Sequence, residues 1–412
     1  MSPAVSGADA TAVERVFREA YGQAVATLTR LVGDITLAED AVQEAFAVAT
    51  DRWGRDGIPP NPAGWIVTTA RNRAIDDLRR SIRGRELHAQ LGAVASVSPA
   101  GGTEDLGEEG TVKDDRLRLI FTCCHPALRP EHSVALTLRL LGGLSVEEVA
   151  RSFLVSEAAM AKRLVRAKYK IKAANIPYRV PDQEHLPGRL GSVLSVLYLI
   201  YTTGLDGQER AALRAEAIRL ARALVALMPD EPEAAGLLSL MLLNESRAAA
   251  RTLEGELVLL RDQDRSMWDG AMIGEGQAIV RACIRRGRPG PYQLQAAIQA
   301  VHGDARSFHE TDWRQIVVLY DRLFSVMPTP VVALNRAIAI AEVEGPGTAL
   351  PTLETIAPDL ENYHLLHAAR GTMLRRLGRR GEARAAFERA ASLASTDADQ
   401  RFLDGQIEDL TD

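Results

Sequence analysis

A stripe of basic side chains on one short segment is the first feature of this sequence that could do chemistry. Ala159, Lys162, Arg163 and Arg166 follow the i, i+3, i+4, i+7 spacing that puts side chains on one exposed helical stripe. Cationic groups in this arrangement can bind phosphates and the acceptor edges of bases. Residues 156–172 contain six lysines or arginines and one acid, although the chain has a net charge of −5. This local reversal of sign favours nucleic acid as the partner, whereas a solvated surface is the commoner meaning of such a stripe.

The flanking residues predict two short helices around this stripe. Ser145 and Glu148 have the spacing of a capping box, which begins the first helix. Ser156 offers an N-cap for the second helix, after a break at Leu154 and Val155. Two short helices joined by a tight turn, with basic side chains on the second, predict a helix-turn-helix. In that motif the second helix enters the major groove of DNA.

A second polar face lies about 120 residues upstream. Asp40, Gln43 and Glu44 cluster on one side of a predicted helix whose other side is apolar. Thr36 and Glu39 have the spacing of a capping box at its start. Most acidic helical faces are only solvated, so this face on its own does not identify a partner.

A third polar face follows a proline-rich loop at residues 57–62, in which three prolines exclude both helix and central strand. The helix predicted from Gly64 to about Arg83 has an apolar side and a polar side. The polar side carries Thr69, Asn72, Arg73, Asp76 and Arg80, with Arg79 at its margin and Trp65 at the start of the helix. Amide, guanidinium and hydroxyl groups beside a tryptophan suit melted or single-stranded nucleic acid, although a lone tryptophan is more often a core residue.

Length and composition limit the remaining choices. With 412 residues, 46% hydrophobic and 25% charged, the chain should form two to four ordinary globular domains, and its abundant Ala, Leu, Arg and Glu favour an all-α fold. No apolar run is long enough to span a bilayer and no secretory signal is visible, so we expect a cytoplasmic protein without membrane contact.

The cysteines suggest no cofactor or metal. Three cysteines cannot build a disulfide framework, and Cys123-Cys124-His125 lacks the spacing of a zinc site. Buried structural thiols are the expected reading of this pair. An enzyme that uses Cys123 or His125 is the alternative, but no phosphate-binding loop, nucleophile elbow or pair of catalytic carboxylates supports it.

Two blocks of the sequence resemble a known family. Residues 40–46 (DAVQEAF), 61–66 (NPAGWI) and 70–76 (ARNRAID) resemble region 2 of the extracytoplasmic-function (ECF) sigma factors, members of the sigma-70 superfamily. Residues 143–150 (GLSVEEVA), Ser156 and residues 163–167 (RLVRA) resemble region 4 of the same family. The two blocks occur in the family's order, with a linker of suitable length between them.

The resemblance implies an organisation and a set of roles. It implies region 2 at 11–83, a flexible linker at 84–112, region 4 at 113–175 and a helical extension at 178–412. It implies an RNA polymerase subunit without catalysis of its own, whose partners are promoter DNA and the core enzyme, at the clamp helices of the largest subunit and the flap of the second largest. Polymerase contact is implied for Asp40, Gln43, Glu44 and Phe46. Contact with the −10 element is implied for Asn61, Trp65, Thr69, Arg71, Asn72, Arg73, Asp76, Arg79 and Arg80. Contact with the −35 element is implied for Ser156, Ala158, Ala159, Lys162, Arg163 and Arg166, although Leu154, Ala158 and Ala159 depart from the family's usual residues.

The C-terminal half predicts helices separated by prolines, among them residues 234–250, 270–286 and 313–326, and helix pairs at this spacing suggest an α-solenoid. Gly371, Leu374, Ala383, Phe387 and Ala390 match small and large positions of a tetratricopeptide (TPR) repeat. One group of ECF sigma factors carries such an extension, which would bind a protein partner or serve a structural role. The competing hypothesis is a TPR-containing regulator that binds duplex DNA through the helix-turn-helix without polymerase.

Overall fold

The computed structural model describes residues 7–89, 109–153, 155–182, 184–205, 211–253, 256–394 and 396–410. The fold is all-α: within these ranges one two-stranded hairpin is the only sheet. The chain divides into two compact units, residues 1–220 and 221–412, with the boundary inside one helix.

The first unit contains the three faces predicted above. Its helices are α1 (Gly7–Val32), α2 (Ile35–Asp56), α3 (Pro62–Ala89), α4 (Glu109–Cys123), α5 (Pro130–Leu136), α6 (Val146–Ser152), α7 (Glu157–Ala173), α8 (Leu186–Thr203) and α9 (Ala211–Leu227). A π-helical turn, Thr137–Leu141, continues α5. Helix α3 runs six residues past its predicted end, and residues 90–108 of the predicted linker lie outside the described ranges, as does Leu154 of the predicted turn.

Capping boxes were predicted at the N-termini of two of these helices, α6 and α2, and only the one at α6 is present. Ser145 and Glu148 form the predicted capping box of α6, with the Ser145 hydroxyl oxygen 3.0 Å from the Glu148 N–H and the Glu148 carboxylate 2.7 Å from the Ser145 N–H. The capping box predicted for Thr36 and Glu39 is wrong. Asp34 caps α2 instead, accepting from the Thr36 N–H at 2.8 Å, and Glu39 points into the protein.

Regions on either side of the linker share one hydrophobic core. Tyr21 and Leu28 of α1 are fully buried, as are Phe121 of α4 and Leu138 in the π-helical turn. A β-carbon added at Gly22 would lie 2.8 Å from the carbonyl oxygen of Leu141, so only glycine allows this approach of the two backbones. Helix α1 is therefore packed directly against the π-helical turn.

The second unit is an array of helix pairs. Its helices are α10 (Pro232–Glu245), α11 (Gly270–Arg286), α12 (Pro291–Asp304), α13 (Trp313–Val326), α14 (Pro330–Val343), α15 (Pro346–Ile356), α16 (His364–Arg376), α17 (Arg380–Ser392) and α18 (Asp397–Glu408). The helix predicted over 234–250 ends at Glu245, and Ala248–Ala250 form a 3₁₀ turn. Strands β1 (Thr252–Leu253) and β2 (Glu256–Leu257) follow and pair antiparallel. The predicted TPR-like pair is confirmed, since Phe387 of α17 packs on Gly371 of α16 and both are buried.

Among the described residues, no helix combines the length and the apolar character that a membrane span requires. No three His, Cys, Asp or Glu side chains come together there in a group that could hold a metal ion.

Candidate nucleic-acid and polymerase interfaces

Helix α7 presents the predicted basic stripe to solvent. Ser156 caps the helix by accepting a hydrogen bond from the Ala159 N–H at 3.2 Å. The opposite face, Met160, Leu164, Ala167 and Ile171, is buried. This packing orients the stripe outward, as the spacing predicted.

The predicted −35 residues lie together on that outward side. Ser156, Ala158, Ala159, Lys162 and Arg166 are exposed, and Arg163 is half-buried. The stripe creates a positive field in its neighbourhood. Burial lowers the pKa of the nearby His132, Glu131 opposes this, and Arg129, Arg163 and Arg166 lower it further. A field of this sign attracts phosphate.

The polar face of α2 is also open to solvent. Asp40, Gln43 and Glu44 are exposed. Burial on one side raises the pKa of Asp40, and the neighbouring acids add to this against the effect of Lys168. Phe46 does not belong to this face, because only 4% of its side chain is exposed and its ring centroid lies 4.6 Å from that of Phe17. Phe46 holds α2 against α1.

The face predicted for the −10 element borders the polar face of α2. Glu44 forms an exposed ion pair with Arg73 of α3, so a predicted polymerase contact and a predicted DNA contact meet in one pair. Asn61 is exposed and caps α3, accepting from the Gly64 N–H at 2.9 Å. Trp65 is half-buried, with its ring edge-on to the buried Trp53 at a centroid distance of 5.4 Å.

The remaining predicted −10 residues follow along α3. Asn72, Asp76 and Arg79 are exposed, and Thr69 and Arg71 are half-buried. Arg79 lies 3.8 Å from the Asp76 carboxylate. Because an exposed ion pair at this distance is weak, both side chains are free to bind other partners. The side chain of Arg80 lies outside the described residues.

The structure also brings together a cluster that the sequence did not reveal, which we call the Glu39 cluster (Glu39, Arg139 and Lys168). The Arg139 Nε donates to the Glu39 carboxylate at 2.6 Å, and the Lys168 ammonium pairs with its second oxygen. Gln43 also donates to Glu39, at 2.9 Å. The Glu39 and Arg139 side chains are only 4% and 8% exposed. The cluster therefore joins α2, the π-helical turn and α7 inside the protein.

Further polar contacts connect the same elements around the cluster. Arg30 of α1 donates to the buried Asp115 of α4 at 2.9 Å. The Tyr178 hydroxyl lies 2.7 Å from the Ala26 carbonyl oxygen, and Lys172 lies 3.5 Å from the Asp34 carboxylate. Helices α1 and α2 are thus fixed to α4 and α7 at several points.

The prediction of buried thiols is confirmed. Cys123 and Cys124 are 0% and 1% exposed, and the Cys124 sulfur lies 3.5 Å from the Thr137 hydroxyl. Burial raises the pKa of Cys124 to about 12 and that of Cys123 well above its usual range. Neither sulfur is therefore a thiolate at neutral pH, the form that a nucleophile or metal ligand requires.

Comparison with known proteins assigns these helices. The sequence model of sigma-70 region 2 matches residues 16–84, and that of sigma-70 region 4 matches residues 118–171. The ECF RNA polymerase sigma factor SigL of Mycobacterium tuberculosis is 30% identical over 177 residues, which are 42% of this chain and 93% of SigL. The chain belongs to the ECF RNA polymerase sigma factors. Probable ECF sigma factor SigI of the same organism is 28% identical over 164 residues, 38% of this chain and 53% of SigI.

The rest of this sigma factor is matched by less informative relatives. A family of unknown function, DUF6596, matches residues 189–284, from α8 to α11. An uncharacterised protein of Rhizobium meliloti is 42% identical over 394 residues, 94% of this chain and 93% of that protein. Its similarity therefore includes the C-terminal unit as well as both sigma regions.

With the family assigned, the exposed faces belong to defined regions. The polar faces of α2 and α3 lie in region 2, and the basic stripe of α7 lies in region 4. The Glu39 cluster joins region 2 to region 4. The match to region 2 disfavours the hypothesis of a regulator that uses only a helix-turn-helix, because such a protein has no need of that region.

Proposed function

We propose that this ECF sigma factor directs core RNA polymerase to promoters through three surfaces. Asp40, Gln43 and Glu44 bind the clamp helices of the largest subunit. The exposed residues from Asn61 to Arg79 hold the melted −10 element, and the α7 stripe reads the −35 element as duplex, while region 4 also contacts the flap of the second-largest subunit. The subunit supplies specificity and leaves catalysis to the polymerase in the cytoplasm.

One observation carries this proposal: most of the side chains predicted to contact partners are exposed, on helices whose opposite sides are buried. Asp40 and Glu44 are exposed on α2, whereas Val42 and Ala45 of the same helix are fully buried. Surfaces oriented in this way are available to a partner without unfolding. Duplex DNA is read by a helix in the groove, and a melted strand is held by polar side chains, which matches the two DNA-binding faces.

The packing of region 2 against region 4 adds a requirement. The two promoter elements are centred about 25 base pairs apart, which is about 85 Å at a rise of about 3.4 Å per base pair. A compact body of 220 residues has a radius of gyration of about 17 Å and hence a diameter of about 45 Å. Contact with both elements at once therefore requires regions 2 and 4 to separate, and the Glu39 cluster must break when they do.

Transcription in vitro tests the proposal. Core polymerase with the full chain, supplied with a library of genomic fragments, should start at a defined set of sites at which core polymerase alone is silent. Asp40→Ala with Glu44→Ala should lower polymerase binding and all transcripts. The matched control on the same helix, Asp51→Ala with Asp56→Ala, removes two exposed acids that are paired within α2 and should have no effect.

A second pair of variants tests the DNA-binding stripe. Arg163→Ala and Arg166→Ala should each relax the sequence preference of the upstream element, with a loss of about 1–3 kcal/mol for a base contact. The exposed Arg179, which follows α7, provides the control arginine. Absence of any polymerase-dependent start site, together with tight duplex binding by the free chain, would instead favour the regulator that acts without polymerase.

We also propose that the C-terminal helical unit regulates this activity by binding a protein partner, since helix-pair arrays offer extended binding surfaces. Affinity capture with the full chain and identification of a partner that changes transcript yield would support this. A partner that leaves the yield unchanged would count against it.

A further inference from the structure

A partly open cavity lies in the C-terminal unit, between the helix pairs. Its volume is 340 Å³, within the range of about 300–1,000 Å³ that is typical of small-molecule sites. The walls are one face of α14, one face of α16, the segment after β2, and α18. The apolar lining includes Leu257, Ile338, Ala341, Ala368, Ala369 and Phe402. Alanines on two of these helices leave the space that larger side chains would fill.

The charged groups of the wall are unequal in number. Arg261, Arg375 and Arg376 line the cavity, with Glu342 and Asp399 as the acids. Arg376 donates to Glu342 at 2.5 Å, and Arg261 approaches the same carboxylate at 3.6 Å. One carboxylate thus serves two guanidinium groups.

Arg375 is the third cation of the wall, and it does not share the Glu342 carboxylate. It donates to the Gln406 side chain at 2.7 Å, and its guanidinium lies 5.8 Å from the centroid of Phe387. Among the described residues no carboxylate lies within ion-pair distance of it. Asp399, the other acid of the wall, accepts from the Thr396 hydroxyl at 2.6 Å. A part-buried guanidinium without an anion is costly, and a ligand that supplies one removes that cost.

We propose that this cavity binds a small amphipathic carboxylate, with its apolar body against the alanine-lined walls and its carboxylate on Arg375. The apolar lining favours a hydrocarbon or aromatic body. The excess of one cation favours a single negative charge over a neutral or cationic ligand. This site lies entirely within the C-terminal unit, and its binding of a ligand does not depend on promoter recognition.

Calorimetric titration of the full chain with decanoate, kept below its micelle concentration, tests the proposal. Decanoate should bind saturably at one site per chain, and decylammonium, with the same body and the opposite charge, should bind at least about tenfold more weakly. Arg375→Gln keeps a polar side chain but removes the charge, and should weaken decanoate binding about tenfold or more. The neutral probe decanol should bind this variant as it binds the natural chain.

Two further variants separate this site from binding elsewhere. Ala369→Phe should fill the cavity and abolish binding of both decanoate and decanol. Arg389→Gln, an exposed arginine on α17 outside the cavity, should change nothing. The proposal is overturned by the absence of saturable binding, by equal affinity for decanoate and decylammonium, or by equal effects of Arg375→Gln and Arg389→Gln. If Ala369→Phe does not fold, the comparison of Arg375→Gln with Arg389→Gln still tests the proposal.

Discussion

Substitution of Glu39 by glutamine should loosen the attachment of region 4 to region 2. The variant keeps the shape of the side chain but removes the one negative charge between Arg139 and Lys168. These cations are 8% and 17% exposed, so water compensates them poorly. Removing one partner from a buried ion pair costs about 3–5 kcal/mol. Because the glutamine oxygen still accepts a hydrogen bond, we expect the lower end, about 3 kcal/mol.

Amide hydrogen exchange of the full chain measures this loss of stability separately for each helix. A loss of about 3 kcal/mol corresponds to exchange about 100-fold faster for amides that exchange through this opening. The acceleration should appear in peptides from both α2 and α7, since the cluster holds both helices. Peptides from α16 and α17 in the C-terminal unit provide an internal reference that should not change.

Glu44→Gln on the same helix is the matched control. Its partner is Arg73, and both side chains are well exposed, at 54% and 39%. An exposed pair of this kind contributes less than about 1 kcal/mol. Equal acceleration in the Glu39 and Glu44 variants, or acceleration limited to the first turn of α2, would refute the reasoning that burial of the cluster holds the two regions together.

Three further predictions concern stability in urea. Gly22→Ala should destabilise the first unit by several kcal/mol, because its methyl group would meet the Leu141 carbonyl, whereas Gly191→Ala in an open stretch of α8 should be neutral or stabilising. Asp34→Ala should cost about 1 kcal/mol of cap energy. Burial acts to raise the pKa of Asp34, but backbone hydrogen bonds and a nearby lysine outweigh it, so the pKa is lowered. Its contribution should be complete above about pH 4 and lost as the pH falls through the folded value, and Asp34→Asn should keep the cap without that pH dependence. Burial and two nearby arginines lower the pKa of His302 to about 3. The unfolded chain therefore binds the extra proton below about pH 6.5, and acidification from pH 7 to pH 5 should cost about 2 kcal/mol, a loss that should be absent in His302→Gln.

Local signals were sufficient to predict much of the helical architecture. The caps at Ser145 and Ser156 and the breaks at prolines depend on residues near in sequence, and the bounds predicted for α11 and α13 are those observed. The helix predicted over 234–250 ends at Glu245, although the helical composition continues through three alanines to Ala250. The hairpin of β1 and β2 follows this stretch, and it was not predicted because strands of two residues are too short to show an alternating pattern.

Glu39 shows why part of the site escaped prediction. As a polar residue three positions after Thr36 it matched a capping box, but it also lies on the same side of α2 as Val42 and Phe46, which are buried. Its partner Arg139 interrupts an apolar run, which is a sign of a buried charge. The position that compensates it is 100 residues away, and only the tertiary fold brings the two together.

The roles of the individual cations of α7 likewise could not be predicted from the sequence. Counted along the sequence, six cations form one signal for nucleic acid. In the structure they separate: Lys162 and Arg166 are exposed on the stripe, whereas Lys168 enters the Glu39 cluster and Lys172 lies beside Asp34. In the proposed function α7 uses one set of cations for DNA and another for its own region 2, and this couples the two contacts physically. Any rearrangement that frees the second set adds positive charge to the segment proposed to face phosphate, so opening of the unit and attraction to DNA should favour each other.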